Sequence, residues 1–256
     1  KVLPGVAYLE MAQEAIKQAC KEFFKDNQSI QLKNVVWARP LVVGEEPQKI
    51  NIGIFPEENG QITYEIYAKN LNQEEEPLVY SQGIAILASF DKPKPLNLND
   101  LRGKLNPDRL EPKNCYEVFK TIGIDYGPAH QSLEKLYLGE NEVLAKLILP
   151  RSVLETKDQF TLHPSLLDGA LQASIGIGIG EDTQNRARPS LPFALESLEI
   201  LESCTNSMWA WVRYSDDSAV AQIQKLDIDL CDDMGKICVK MRGFSSRVLE
   251  GEITEK

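Results

Sequence analysis

Asp168 and Gln172 are the two side chains whose types and spacing most directly suggest chemistry. They are four residues apart, so on a helix both project from one face, which Leu167 and Leu171 flank. A carboxylic acid held against apolar surface tends to stay protonated, which is the state that a general acid needs near neutral pH. A side-chain amide one turn away is placed to hydrogen-bond the carboxyl and orient it. In an arbitrary sequence, however, an Asp and a Gln at this spacing are more often solvated on a helix edge.

The histidines and cysteines do not predict a metal site. The sequence has five cysteines without a Cys-x-x-Cys pair, and neither His130 nor His163 stands at ligand spacing from a cysteine. We therefore expect free thiols in a reducing compartment and no bound metal. His163 directly precedes Pro164, which favours an extended conformation at a helix entrance and a structural role for the ring.

A glycine run at residues 176–180 resembles a phosphate-binding loop only in composition. It follows a predicted helix instead of opening one. Its backbone N–H groups therefore do not lie at a helix N-terminus, and nucleotide binding is not predicted.

The overall composition restricts the classes of function. A net charge of −10 over 256 residues argues against a nucleic-acid partner, because phosphate backbones require clustered Lys and Arg. No apolar run approaches the length of a membrane span, and the first residues lack the features of a signal peptide. These features predict a cytoplasmic globular protein that binds neither nucleic acid nor membrane.

The apolar pattern predicts two main helices among antiparallel strands. Residues 6–24 and 164–175 carry apolar side chains at three- and four-residue steps, and the second helix holds Asp168. A short helix is predicted at residues 116–122, and residues 91–113, with four prolines, are predicted to be a linker. The predicted strands lie at residues 35–37, 50–54, 62–66, 78–87, 133–149, 195–201, 209–214, 219–230 and 237–248. Each half thus contains one helix and several antiparallel strands.

Five segments carry a resemblance to a known family. The most informative reads His-Pro-Ser-Leu-Leu-Asp-Gly-Ala-Leu-Gln, at residues 163–172. The others are Leu-Pro-Gly-Val-Ala-Tyr-Leu-Glu at 3–10, Gly-Ile-Asp-Tyr-Gly-Pro-Ala-His-Gln at 123–131, Leu-Pro-Phe-Ala-Leu at 191–195 and Gly-Phe-Ser-Ser-Arg at 243–247. In their order along the chain, these segments resemble the dehydratase domain of modular polyketide synthases, most closely that of bacterial synthases served by separate acyltransferases.

The resemblance implies an α+β fold of the double hot-dog type, in which two antiparallel sheets are each wrapped around a long helix and abut edge to edge. The implied boundaries are an N-terminal hot-dog at residues 1–90, a linker at 91–113 and a C-terminal hot-dog at 114–256. Neighbouring synthase domains and a second copy of the domain, in a homodimer, are implied partners.

The resemblance also implies a reaction, the removal of water from a β-hydroxyacyl thioester carried on the phosphopantetheine arm of an acyl carrier protein. Asp168 would be the acid, Gln172 would support it, and the N-terminus of the first helix would bind the thioester carbonyl. No metal or dissociable cofactor is implied. The residues expected to contact substrate are Gly5, Tyr126, Gly127, Pro128 and Leu167. The Tyr126 hydroxyl would either bind substrate or anchor the Gly-Pro turn.

The sequence departs from the family pattern at the base. The family's histidine lies in His-x-x-x-Gly-x-x-x-x-Pro, and Pro4 matches the final proline. The histidine and the family's first strand are therefore expected upstream, with the base six positions before Lys1. His130 stands where the family commonly has Phe and is expected to pack beside the channel mouth.

Two alternative functions and one docking surface are also considered. Relatives that shift a double bond keep the fold but commonly lose the acid, so the presence of Asp168 and Gln172 favours dehydration. A non-catalytic acyl-binding module is supported only by the missing histidine. Arg186 and Arg188, in a predicted loop, are the densest basic pair and would either dock the acidic carrier protein or remain solvated.

Overall fold

The computed structural model describes residues 1–23, 28–69, 76–106, 110–177, 190–216 and 225–248. Its α-helices are α1 (Gly5–Ala19), α2 (Leu98–Lys104), α3 (Pro112–Thr121) and α4 (Pro164–Gln172). Its strands are β1 (Ser29–Trp37), β2 (Asn51–Pro56), β3 (Ile62–Ala68), β4 (Leu78–Ala88), β5 (Leu133–Leu138), β6 (Glu142–Ile148), β7 (Ser190–Ile200), β8 (Ser207–Tyr214), β9 (Leu226–Cys231) and β10 (Ile237–Val248).

The strands form one continuous antiparallel sheet in the order β2-β3-β4-β1-β7-β10-β9-β8-β6-β5. The two halves meet at β1 and β7, where Leu32 pairs with Leu198. Helix α1 contacts β1, β2 and β3, helix α4 contacts β6 and β8, and the two helices contact each other. The two predicted sheets therefore join edge to edge, and each half wraps around its own helix.

Helix α1 follows its predicted apolar stripe through Leu9, Ala12 and Ile16, all of which are buried. The α-helix ends at Ala19, earlier than predicted, and a 3-10 turn at Lys21–Phe23 follows. The Ala19 side chain is exposed, so the predicted apolar stripe also stops before this residue. At its start, the Tyr8 hydroxyl accepts the Leu41 N–H at 3.0 Å. The helix is thereby fixed to the segment that follows β1.

The segment predicted as a linker contains a helix. The Asn97 side chain accepts the Asp100 N–H and caps α2, whose Leu98 side chain is buried in a small cluster with Trp209 and Ile237. Helix α3 also begins inside the predicted linker, at Pro112. Few buried positions in this segment make helical periodicity weak, which is why the sequence pattern missed α2.

Strand β1 differs from its predicted bounds, and some predicted features lie outside the described residues. Strand β1 begins at Ser29, well before residue 35, and Asn34 has a φ of 51° where its pairing with β4 shifts register. Residues 219–224 of the predicted strand, Arg186, Arg188 and the glycine run from residue 178 onward lie outside the described residues. Within the described ranges, no helix is both long and apolar enough to span a membrane.

Candidate active site

Helix α4 is fixed at its N-terminus by His163. The His163 Nδ1 accepts the Ser165 N–H at 3.3 Å, and Pro164 occupies the first helical position, where its missing N–H costs nothing. The Nε2 atom lies 3.1 Å from the Thr156 hydroxyl. Burial, and then the nearby His130 ring, lower the pKa of His163 to about 4. The structure thus places this ring as a neutral helix cap, the structural role that the sequence predicts.

A cap of this kind predicts how stability depends on pH. The folded ring stays neutral down to about pH 4, whereas an unfolded histidine takes up a proton below about pH 6.5. The unfolded state therefore binds more protons between these values, and stability falls as the pH falls through that window. We expect His163→Asn, which keeps a capping oxygen but does not titrate, to weaken this loss in urea unfolding at about pH 7 and about pH 5.

The matched variant is His163→Ala. It removes the cap and should lower the free energy of unfolding by about 0.5–2 kcal/mol at neutral pH, where the asparagine variant should retain most of it. An asparagine variant that loses as much stability on acidification as the parent protein would contradict this role.

Asp168 and Gln172 lie together on the buried face of α4, as their spacing predicts. Gln172 Nε2 donates to Asp168 Oδ2 and to the His130 carbonyl oxygen, both at 2.9 Å. Gln172 is 2% exposed and Asp168 7% exposed, so neither belongs to a solvated helix edge. The amide therefore holds one oxygen of a largely buried carboxyl, and its second N–H ties α4 to the turn before β5.

Tyr116, on α3, fixes the orientation of that amide. Its hydroxyl donates to Gln172 Oε1 at 3.2 Å and accepts the Leu133 N–H at 3.0 Å. Burial raises the pKa of Tyr116 well above its ordinary value, so the hydroxyl stays protonated. Sequence reasoning missed this residue, because Tyr116 and Gln172 are 56 positions apart and no spacing rule connects them.

His130 approaches the same carboxyl. It ends the 3-10 turn Pro128–His130, and its Nδ1 lies 3.4 Å from Asp168 Oδ2. The expectation that this ring merely packs in place of Phe is therefore incomplete. Packing of the turn against α4 brings a titratable ring to the candidate acid.

The Tyr-Gly-Pro segment lies beside this network. The Tyr126 ring packs edge-on against Phe119 and Tyr116, and its carbonyl oxygen accepts from Gln131. Burial, and then the charge of Asp168, raise the pKa of Tyr126 well above its ordinary value. Gly127 and Pro128 are exposed. Leu167 is fully buried in the core.

Gly5 occupies a different place. It lines a cavity of about 510 Å³ together with Trp37, Arg39, Pro192 and other residues, and Asp168 is not among them. The Trp37 indole N–H donates to the Gly5 carbonyl oxygen at 2.8 Å. The predicted channel shared by Gly5 and Asp168 therefore stays a prediction.

Glu10 connects the two halves of the site. Its two carboxyl oxygens accept the N–H groups of Thr161 and Leu162, each at 2.8 Å, just before the His163 cap. Burial raises the pKa of Glu10, and these two hydrogen bonds partly oppose the effect. This contact spans 151 positions, so it was invisible in the sequence. It holds α1 against the entrance of α4.

In the part of the chain that the structure describes, no three His, Cys, Asp or Glu side chains cluster in a way that holds a metal ion. The site around Asp168 consists of one carboxyl, one amide, two tyrosines and one histidine ring. Such a set can deliver and recover a proton in a space largely closed to water.

Family models match both the N-terminal and the C-terminal part of the chain. A family described as "Polyketide synthase dehydratase N-terminal domain" matches residues 98–256, and one described as "Polyketide synthase dehydratase domain" matches residues 1–69. The polyketide synthase PksM of Bacillus subtilis is 41% identical over 255 residues, which is 98% of this chain. The chain spans only 6% of the length of PksM.

Solved structures confirm the fold. A dehydratase domain of a trans-acyltransferase polyketide synthase from Brevibacillus brevis is 50% identical, with a TM-score of 0.90 over 98% of this chain and 86% of that one. The CurK dehydratase of the curacin synthase, crystallised as an inactive Asp-to-Asn mutant, is 23% identical, with a TM-score of 0.83 over 98% of this chain and 85% of that one. With these neighbours, the α+β double hot-dog prediction is confirmed.

Proposed function

Since this chain belongs to the dehydratase domains of polyketide synthases, we propose that it removes water from a β-hydroxyacyl thioester to give an α,β-unsaturated thioester. The observation that carries the proposal is the carboxyl of Asp168, which is largely buried and held at one oxygen by Gln172. A carboxyl oriented in this way is suited to protonate a departing hydroxyl.

The proposed reaction is an elimination of water. A base takes the α-proton, and the electrons of that C–H bond form the carbon–carbon double bond. The bond from the β-carbon to oxygen breaks, and Asp168 gives its proton to the leaving oxygen, which departs as water. The base ends protonated and Asp168 ends as a carboxylate. No change of oxidation state occurs at the enzyme, and the thioester itself acidifies the α-proton, so we propose that the reaction needs no metal or dissociable cofactor.

We propose a histidine as the base, which the family pattern places six positions before Lys1. The CurK dehydratase is inactive as an Asp-to-Asn mutant, so that relative depends on an aspartate. We further propose that the N-terminus of α1, near Gly5, binds the thioester carbonyl, because helix N-termini favour developing negative charge. Tyr126, Gly127 and Pro128 would line the substrate on the other side of the acid.

We propose an acyl carrier protein as the bearer of the substrate and neighbouring synthase domains as the surroundings of this one. The length of PksM, of which this chain matches a small fraction, supports the second point. A second copy of the domain as partner, and docking of the carrier at Arg186 and Arg188, remain predictions.

The test is to incubate the domain, together with whatever precedes Lys1 in its synthase, with a β-hydroxyacyl-pantetheine thioester. Dehydration lowers the mass of the acyl group by one water and creates a conjugated enoyl thioester. A double-bond isomerase would act on an enoyl thioester without changing its mass, and a non-catalytic module would change neither substrate. Either of those outcomes would reject the proposed reaction.

Gln172 gives a prediction about the orientation of the acid. Glutamate at this position has no N–H group to donate to Asp168 or to the His130 carbonyl, and it adds a second carboxyl beside the first. We expect Gln172→Glu to lower kcat by about 10²-fold, within the range that general acid catalysis contributes.

The matched variant is Gln172→His, because an imidazole keeps an N–H donor at this position. It should retain kcat within about tenfold of the parent enzyme. A glutamate variant as active as the parent enzyme would show that Gln172 does not position the acid.

A further inference from the structure

His130 is a titratable ring at the candidate acid to which the proposed reaction assigns no step. Its Nδ1 lies 3.4 Å from Asp168 Oδ2, and this buried nitrogen makes no hydrogen bond within the described structure. The His130 side chain is 26% exposed, whereas that of Asp168 is 11% exposed. The ring is therefore the more exposed of the two side chains.

The other groups around the carboxyl are poor proton donors. Gln172 holds Oδ2 with an amide, which does not titrate. Tyr116 and Tyr126 have pKa values that burial raises well above the ordinary value, so both keep their protons. His163, which faces His130 from the entrance of α4, has a pKa of about 4 and is neutral near neutral pH.

The element packed against the His130 turn adds no buried charge. It is the 3-10 helix Arg151–Gln159, which contacts the turn Pro128–His130. Its charged side chains are all exposed and comprise Arg151, Glu155, Lys157 and Asp158. Screening by water limits their effect on the ring. Near neutral pH, an imidazole is the side chain that exchanges protons with water most readily.

We propose that His130 is a positioning residue that acts through Asp168 by returning a proton to its carboxylate after each turnover. The inference rests on the proposed function. Each dehydration leaves Asp168 without its proton, and a largely buried carboxylate needs a path for recovering one. In the returning step the Nδ1–H bond of protonated His130 breaks and an O–H bond forms at Asp168 Oδ2. A half-turn of the carboxyl, after which Gln172 holds the other oxygen, then brings this proton to the side that faces the substrate. Neutral His130 keeps its proton on Nε2, so it takes the next solvent proton at Nδ1, after the ring turns this nitrogen toward water.

The test uses His130→Phe, which keeps an aromatic ring of the kind common in the family. We expect the first turnover to proceed at close to the parent rate. Later turnovers should slow by at least about tenfold, because proton transfer by a positioned group contributes about 10²-fold or more. The result is a burst of product equal to the enzyme present. The values of kcat and KM should fall together, because the slowed step follows dehydration, and kcat/KM should stay close to that of the parent.

A second variant separates proton return from packing. His130→Ala opens space at the ring position, and added imidazole should restore later turnovers in proportion to its concentration. If the first turnover falls as much as the later ones and imidazole restores nothing, the ring has a packing role and the proposal is wrong. Unchanged steady-state kcat in His130→Phe would also overturn it. If the parent domain releases no water at all, the proposed function fails instead.

A measurement independent of activity completes the test. The Nδ1 resonance of His130 in nitrogen-15 NMR spectra should move when Asp168 is replaced by asparagine, because the neighbouring oxygen loses its charge and proton. The resonance of His163 should move much less, because its Nδ1 is bonded to the Ser165 N–H. A His130 resonance that does not respond would show that the two groups are not coupled.

Discussion

Asp168→Asn is expected to lower kcat for a β-hydroxyacyl-pantetheine thioester by about 10²–10⁴-fold, the range in which general acid catalysis contributes. Asparagine has nearly the same shape as aspartic acid but cannot deliver a carboxyl proton. Its carbonyl oxygen can still accept the N–H of Gln172, which now donates to Asp168 Oδ2 at 2.9 Å. Steady-state kinetics on the domain, extended to include the proposed upstream histidine, measures the effect.

The control for this variant is stability. Because the hydrogen bond to Gln172 can persist, the free energy of unfolding should change by no more than about 1–2 kcal/mol. The variant should also bind the thioester with an affinity close to that of the parent. Turnover within a few-fold of the parent enzyme would remove Asp168 from the mechanism.

Gly169→Ala is expected to have the largest effect on packing near the site. Gly169 follows Asp168 on α4, and a Cβ at this position would overlap the Ser132 Oγ atom. Ser132 cannot move freely, because its side chain is buried and its hydroxyl donates to the Ser165 carbonyl at 2.9 Å. The helix must therefore shift away from β5 and carry Asp168 with it. We expect the free energy of unfolding to fall by about 1–3 kcal/mol or more, with a loss of activity.

A double-mutant cycle that combines Gly169→Ala with Ser132→Ala tests this steric explanation. Alone, Ser132→Ala removes one buried hydrogen bond and should cost about 1 kcal/mol. Combined with Gly169→Ala, it removes the overlapping atom and leaves the nearest contacts at 3.3 Å, to Ser132 Cβ and Leu147 Cδ2. The double variant should therefore be more stable than Gly169→Ala alone, as urea unfolding of all four proteins would measure. Purely additive losses would contradict the steric explanation.

Local pattern and motif order predicted much of the fold. The stripe of Leu9, Ala12 and Ile16 correctly placed α1, because a helix that buries one face against a sheet must repeat apolar residues at that spacing. Alternation revealed β2 and β3 and the turn between them, where Gly60 has a φ of 82°. The pattern failed at α2, where capping by Asn97 and a few long-range contacts stabilise a helix without a periodic stripe.

The candidate site likewise contains residues that the sequence predicted and residues that it missed. Asp168 and Gln172 were predictable because four residues on a helix fix their relation, and the hydrogen bond between them follows locally. Tyr116, Glu10 and the ring of His130 reach the site from other elements, and their contacts depend on how α3, α1 and the turn before β5 pack. Tertiary packing, which no spacing rule contains, determined these contacts.

The position of the bound substrate relative to Asp168 tests the proposed mechanism most directly. It is measured by a crystal structure of the Asp168→Asn domain, extended to include the proposed upstream histidine, bound to a β-hydroxyacyl-pantetheine thioester. We predict that the β-hydroxyl oxygen lies about 2.6–3.2 Å from the terminal oxygen or nitrogen of residue 168 that Gln172 leaves free. A bound thioester whose β-hydroxyl lies beyond the reach of residue 168, even through one water, would contradict the account.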